Sequence, residues 1–248
     1  MLVLLALACS NDCQPDQPCG FQGGDYYVLE ADEPTDRALI YLHGAGTDAE
    51  GLPNRHKEEV FLAGGYHMVY PNAPNGFWQV SRGQDAAAED AAWVASLADQ
   101  LELDGVATDF YVGGQSVGGS MTWYVACNEA DRFVAFAPSS GGFWVPEPTD
   151  CDVGPVKLRH SHGTLDTMVP MEGRELNGEA AQGNIYEGLD MWREHDGCSS
   201  EVVVTEEGPY TCSADVCDEG GVQLCLYEGK HGTPDNWEPY VVDWLNAQ

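Results

Sequence analysis

The sequence is poor in basic residues. Lys and Arg total 10 against 41 Asp and Glu, so the formal net charge of the 248-residue chain is −31. A surface this negative repels phosphate backbones and anionic lipid head groups, which argues against nucleic acid as a partner. The acidic residues are spread along the chain rather than clustered. This spread favours a solvated acidic shell over capture of a cationic substrate, although both interpretations stay open.

The apolar run at the N-terminus is too short to cross a membrane. Residues 2–8 are all apolar, whereas a spanning helix needs about 20 such residues. The run suits an export signal, and residues 5–9 resemble a bacterial lipoprotein cleavage site at which Cys9 is lipidated. An export signal and tether are predicted over 1–24, and membrane contact only through a lipid on Cys9. Soluble secretion, a periplasmic location and a cytosolic protein remain as alternatives.

Zinc-type cysteine spacing is absent. There is no Cys-x₂-Cys pair, so a zinc site is disfavoured. Nine cysteines instead fit an oxidising compartment. Neighbourhood in sequence suggests Cys13 with Cys19 and Cys127 with Cys151, although sequence does not fix the connectivity. Four further cysteines are expected to pair among themselves: Cys198, Cys212, Cys217 and Cys225.

No linker-like segment or internal repeat interrupts the chain, which favours one domain over 25–248. Short apolar runs alternate with segments of helical periodicity. This alternation predicts an α/β domain with a mostly parallel sheet and helices on both faces. Strands are expected near 26–29, 38–42, 66–70, 110–112, 133–136, 156–160, 201–205 and 222–227. Helices are expected near 48–62, 85–103, 120–127, 184–195 and 239–245.

The strongest chemical signal is G-x-S-x-G at 114–118. It stands between a predicted strand and a predicted helix, which is the context of a nucleophile elbow. The serine sits there on a strained turn, and the flanking glycines avoid clashes with nearby backbone. Ser116 is therefore the predicted nucleophile.

A serine nucleophile needs a base and a group that orients the base. In an elbow-type hydrolase these follow the serine in the order Asp or Glu, then His. Asp166 directly follows a predicted strand, and His231 follows the last strand on a glycine-flanked loop. Asp150, Asp152 and Asp190 compete less well for the acidic role. His195 suits a helix cap, and His160 and His162 precede the aspartate.

Acyl transfer also needs donors for the developing oxyanion. The elbow offers the backbone N–H of Val117, and the loop His43-Gly44-Ala45-Gly46 follows an earlier strand. Ala45 N–H is the second predicted donor. His43 itself is interpreted as a buried structural residue.

Four segments together resemble one family: LHGAG at 42–46, GQSVGGSMT at 114–122, HGTLDTMVP at 162–170 and GKHG at 229–232. They are similar to the polyhydroxybutyrate depolymerase and feruloyl esterase group of α/β-hydrolases. The resemblance extends from about residue 25 to the end of the chain. It implies the α/β-hydrolase fold and an exported serine esterase with no metal or organic cofactor.

Aromatic residues in predicted loops could surround the site and stack on a substrate. Trp78 and Trp237 are the predicted contacts, while Phe77, Phe143 and Trp144 are weaker candidates. Packing within the loops explains any one of them equally well.

These patterns predict a serine esterase that works through an acyl-enzyme. Its expected substrates are feruloyl or acetyl-carbohydrate esters, or short hydroxyalkanoate polyesters. An oligopeptidase-like hydrolase and a catalytically inactive carbohydrate-binding lipoprotein are the alternatives.

Overall fold

The structure, a computed structural model, describes residues 18–51, 58–176 and 180–248. The strands are β1 Cys19–Phe21, β2 Gly24–Leu29, β3 Arg37–Leu42, β4 His67–Pro71, β5 Asp109–Gln115, β6 Ala135–Ser139, β7 Lys157–Gly163, β8 Arg174–Glu175, β9 Ala181–Gln182, β10 Val202–Glu207, β11 Tyr210–Asp215 and β12 Gly221–Tyr227. The helices are α1 Glu58–Ala63, α2 Gln84–Leu103, α3 Val117–Glu129, α4 Ile185–His195 and α5 Glu238–Leu245.

Ten strands form one sheet in the order β1-β2-β4-β3-β5-β6-β7-β12-β11-β10. The six consecutive strands β4-β3-β5-β6-β7-β12 run parallel to one another. Antiparallel strands extend both edges. The predicted mostly parallel sheet is confirmed. No helix in the described residues is long and apolar enough to span a bilayer.

The central strands are buried on both faces because helices cover each side. In β3, Ala38 and Ile40 join a core cluster that includes side chains of α2, α3 and α4. Leu39 and Tyr41 point to the opposite face, where the core includes α1 and α5. This two-sided burial explains why these strands appear in the sequence as continuous apolar runs.

Some elements differ from the sequence-based expectations. Strand β1 lies within the segment predicted as a tether and pairs with β2, so the sheet includes part of that segment from Cys19 onward. Strand β11 was not predicted; its apolar side chains are few, and it pairs with β10 and β12. Of the helix expected at 48–62, the described part is α1, while residues 48–51 form a turn and residues 52–57 lie outside the described part.

The disulfides follow the predicted grouping. Cys127 pairs with Cys151, and the last four cysteines form the bonds Cys198–Cys217 and Cys212–Cys225. Cys212–Cys225 joins directly opposed positions of β11 and β12. The predicted lipidation of Cys9 and the partner role of Cys13 lie outside the described residues. The division of the chain at residue 24 remains a prediction.

Removing the Cys127–Cys151 bond is expected to destabilise the domain. The bond closes a separation of 24 residues, so the double variant Cys127→Ala/Cys151→Ala should lose about 3 kcal/mol in free energy of unfolding, because the unfolded chain gains entropy. Urea titration of the parent and the double variant without reductant measures the difference. Equal unfolding midpoints, with free thiols at both positions of the parent, would contradict this pairing.

Candidate active site

Ser116 stands on a strained turn between β5 and α3. Its φ of 61° and ψ of −121° are unusual for a residue with a side chain. The backbone packs closely around it. A Cβ on Gly118 would lie 2.0 Å from the carbonyl oxygen of Leu42, and a Cβ on Gly114 would lie 2.5 Å from the oxygen of Gly118. The two motif glycines are therefore required by close contact of α3 with β3 and β5.

The structure brings the three predicted triad side chains into one hydrogen-bonded line. Ser116 Oγ lies 2.9 Å from His231 Nε2, and His231 Nδ1 lies 2.7 Å from Asp166 Oδ2. An ionised carboxylate only accepts hydrogen bonds, so the proton of a neutral imidazole lies on Nδ1. Nε2 then carries the lone pair, which faces the serine hydroxyl. This is the arrangement required of a general base.

The carboxylate of Asp166 is buried and well supplied with donors. Its Oδ1 accepts the backbone N–H groups of Met168 at 2.8 Å and Val169 at 2.9 Å. Burial raises the pKa of the Asp166 carboxyl, but hydrogen bonds from His162, Val169 and His231 outweigh burial and hold the pKa below its usual range. A depressed pKa keeps the carboxylate ionised wherever an imidazole base is free to act.

The loop that carries the histidine is fixed from two sides. The hydroxyl of Ser140 donates to Gly232 O at 2.9 Å. The phenol of Tyr227 contacts the same oxygen at 2.7 Å and Lys230 O at 3.0 Å. A Cβ on Gly163 would lie 2.5 Å from the oxygens of Gly229 and Lys230. Only glycine at 163 lets the loop with the aspartate pack this closely on the loop with the histidine.

The predicted oxyanion donors adjoin the nucleophile. A Cβ on Gly44 would lie 3.5 Å from Ser116 Cβ, so the loop after β3 passes directly beside the elbow. Ala45 and Val117 line one cavity. Val117 is the first residue of α3, and the N–H groups of a first helical turn have no partner inside the helix. The assignment of both amides as oxyanion donors remains a prediction.

An apolar cavity of about 180 Å³ opens at these amides. Its walls include Phe77, Trp78 and Trp144. Trp78 is buried, and its ring packs 5.4 Å from that of His43, which gives His43 the structural place predicted for it. Phe77 is 42% exposed at the cavity's edge. Three of the five candidate aromatics therefore line a cavity that adjoins the predicted oxyanion amides.

A larger cavity of about 420 Å³ adjoins the apolar one. The two share His43, Thr47 and Gly76 as lining residues. The larger cavity is lined by polar and apolar surface in equal measure, and its polar groups include Asp25, Asp48 and Asn72. We refer to the two adjoining cavities as a cleft, and to the part with these three side chains as its polar end.

The structure places Trp237, a predicted substrate contact, in the core instead. Its ring packs 6.1 Å from Tyr41 and 5.7 Å from Phe61, on the sheet face covered by α1 and α5. The loop ends in a turn at Asn236, with φ of 58°, and the chain then enters α5. Phe143 is likewise buried, against Trp123.

Sequence reasoning missed two groups near the triad. Gln115 Nε2 lies 3.3 Å from His231 Nε2 and, with the amide assigned this way, donates to the lone pair that faces Ser116. His162 Nε2 lies 3.4 Å from Asp166 Oδ2. The signal for Gln115 is its position beside the nucleophile. His162 precedes the aspartate in the chain, which excludes it as the base but not as a partner of the carboxylate.

One group of side chains within the described residues has metal-ligand geometry, namely Glu207, Cys212 and Cys225. The two cysteines form a disulfide, so they supply no thiolate to a metal ion.

The chain matches no protein-family profile. It is similar in sequence to a probable feruloyl esterase C from Aspergillus terreus, with 29% identity over 94% of this chain and 87% of the relative. Feruloyl esterase C from Emericella nidulans is 32% identical over 60% of this chain and 58% of its own length. A bifunctional acetylxylan esterase/xylanase from Neocallimastix patriciarum is 29% identical over 64% of this chain. The aligned region spans only 23% of that protein.

Solved structures show the same fold. An acetyl xylan esterase from Aspergillus awamori superposes with a TM-score of 0.66 at 15% identity, covering 91% of this chain and 94% of that one. A carboxylesterase from Mesorhizobium loti superposes with a TM-score of 0.63 at 14% identity, covering 91% and 96% of the two chains. These likenesses confirm the predicted α/β-hydrolase fold.

Gly118→Ala is expected to damage both stability and activity. Its Cβ would collide with the end of β3, and an overpacked contact of this kind costs about 3 kcal/mol of stability. Gly20→Ala is the matched control, because an added Cβ there would meet nothing within 4 Å and its φ is not in the positive range. Thermal unfolding and ester hydrolysis measure the difference. Equal behaviour of the two variants would contradict the close packing at the elbow.

Proposed function

We propose that this chain, a carboxylic-ester hydrolase of the α/β-hydrolase fold similar in sequence to feruloyl esterase C, uses Ser116, His231 and Asp166 to cleave carbohydrate esters. The observation that carries the proposal is the hydrogen-bonded line of 2.9 Å and 2.7 Å from the serine hydroxyl through the imidazole to the carboxylate. Its position beside a cleft with an apolar and a polar end supports carbohydrate esters as the substrate class.

The geometry supports a two-step acyl transfer. Ser116 Oγ attacks the ester carbonyl carbon while His231 Nε2 takes the hydroxyl proton, and the carboxylate of Asp166 stabilises the resulting imidazolium. The backbone N–H groups of Ala45 and Val117 donate hydrogen bonds to the carbonyl oxygen and stabilise the negative charge that develops on it. The alcohol then leaves with the proton from His231, and an acyl-enzyme remains. A water molecule then attacks the carbonyl carbon of the acyl-enzyme while His231 takes one of its protons. The carboxylic acid leaves, and His231 returns the proton to Ser116 Oγ.

The cleft favours an ester with an aromatic or short acyl group and a hydroxyl-rich alcohol. Phe77, Trp78 and Trp144 provide aromatic faces for an acyl group next to the oxyanion amides. Asp25 and Asp48 line the polar end, where carboxylates accept hydrogen bonds from sugar hydroxyls. Feruloyl and acetyl sugars meet these requirements better than a hydroxyalkanoate polyester, which lacks hydroxyl groups along the chain.

We also propose that the protein acts outside the cytosol. Three disulfide bonds among the described residues support an oxidising compartment. The lipid anchor on Cys9 is part of this proposal as one route of retention at a membrane, with free secretion as the other.

Replacing the nucleophile separates esterase, peptidase and binding functions. The parent should hydrolyse feruloyl and acetyl-sugar esters but not peptide anilides, and Ser116→Ala should lose at least about 10⁴-fold in kcat. Ser213→Ala, on β11, is the matched control and should retain parental rates. Anilide cleavage by the parent would favour the oligopeptidase alternative. Ester hydrolysis undiminished in Ser116→Ala, or sugar binding without any hydrolysis by the parent, would contradict the proposal.

Phe77→Ala is expected to change preference between esters. The Phe77 ring is exposed at the apolar cavity. The Arg82 guanidinium packs over one face of this ring. Losing one aromatic contact of about 1 kcal/mol should raise KM for a feruloyl ester about fivefold and leave KM for an acetyl ester nearly unchanged. Leu103→Ala, 83% exposed at the end of α2, is the control. Equal changes in KM for the two esters would contradict binding of the aromatic acyl group against Phe77.

A further inference from the structure

A second imidazole contacts the carboxylate of the triad. His162 Nε2 lies 3.4 Å from Asp166 Oδ2, the same oxygen that binds His231 Nδ1 at 2.7 Å. His162 Nε2 also lies 2.8 Å from Val169 O. The side chain of His162 is completely buried on β7, and the acyl-transfer steps above assign it no role. A polar ring buried against the carboxylate needs another explanation.

This histidine is the end of a buried chain of hydrogen bonds. His162 Nδ1 lies 2.9 Å from His160 Nε2, and His160 Nδ1 lies 3.3 Å from Trp123 Nε1. Trp123 and both histidines have no solvent exposure. The chain therefore runs from α3 through β7 to the triad without contact with water.

The donor at each link follows from chemistry. An indole N–H only donates, so His160 Nδ1 accepts and the proton of a neutral His160 lies on Nε2. That proton is donated to His162 Nδ1, which leaves the proton of His162 on its Nε2. From the other end, the carbonyl oxygen of Val169 only accepts, so it also requires the proton on His162 Nε2. Both ends of the chain give the same tautomers, with the last N–H bonded to Val169 O and its nitrogen 3.4 Å from the carboxylate.

We propose that His162 is a positioning residue whose Nε2–H, bonded to Val169 O at 2.8 Å, also lies against the Asp166 oxygen that binds His231, and that Trp123 and His160 fix its tautomer. The inference rests on the proposed serine-esterase function. A second donor on Oδ2 holds the carboxylate in the plane that the base needs. It also draws electron density from that oxygen, so the carboxylate stabilises the imidazolium of His231 less strongly. The base then stays unprotonated, and active, to a lower pH.

Other titratable groups lie close to this contact. Burial lowers the pKa of His160 well below its ordinary value, and the neighbouring His162 lowers it further. Burial, partly opposed by a hydrogen bond with Ser140, raises the pKa of the Tyr227 phenol to about 12, with Asp166 adding to the rise. The titratable side chains around Asp166 are therefore His162 on β7, Tyr227 on β12 and His231 on the loop after β12.

Two substitutions separate hydrogen-bond donation from filling of space. His162→Phe keeps a ring and removes the donor, while His162→Gln keeps an N–H at a similar reach. In His162→Phe the acid limb of the kcat/KM profile should move to higher pH by about half a unit, and kcat should fall about tenfold, as expected when a charged acceptor loses a neighbouring donor. In His162→Gln the acid limb should stay where the parent has it. An unmoved limb in the Phe variant, or an equal movement in both, would overturn the proposal.

A measurement on the parent protein avoids dependence on folding of the variants and on catalysis. In ¹⁵N-labelled protein at the pH of the activity assay, NMR of the histidine side chains should show neutral His162 with its proton on Nε2. A proton on Nδ1 would refute the proposal. This result is independent of ester turnover, so failure of the tautomer assignment is distinguishable from failure of the proposed function.

Discussion

The hydrogen bond between Asp166 and His231 is the constraint on which the rest of the site depends. These residues are 65 positions apart, yet their side-chain atoms meet at 2.7 Å. They meet because β7 and β12 are parallel neighbours, so the loops after both strands leave the same edge of the sheet. Gly163 then allows the two loops to pack together closely. The disulfide between β11 and β12 braces the strand that leads to the histidine.

The nucleophile depends on a second, equally close contact. At Ser116 the chain adopts a strained conformation, held by the packing of Gly118 on the end of β3 and by the hydrogen bond from Ser116 N to Ser139 O of β6. The same packing brings the loop after β3 beside the serine. One strained residue therefore arranges the hydroxyl, the helix N-terminus and the glycine-rich loop together. Strain of this kind is maintained because several surrounding elements determine it at once.

The sequence predicted the parallel core of the fold well, because strands covered on both faces appear as continuous apolar runs. Edge strands were harder: β11 is identified by its pairing and its disulfide rather than by its own composition. The motif and the order of elements predicted which residues would form the triad, and the structure brings those side chains together. Trp237 was misplaced because a loop position in the sequence does not show on which side of the sheet a ring will pack. The link from Trp123 to His162 is formed across α3 and β7, and no local pattern reports such contacts.

The central claim is that the hydrogen-bonded side chains of Asp166 and His231 activate Ser116. Its most direct test is mass spectrometry of the folded protein after reaction with a fluorophosphonate, which bonds covalently only to a serine made nucleophilic by its surroundings. One adduct per chain, on the peptide that contains Ser116, is the result we expect, together with its loss when His231 is replaced by alanine. An unmodified Ser116 in folded protein, or equal labelling without the histidine, would contradict the account.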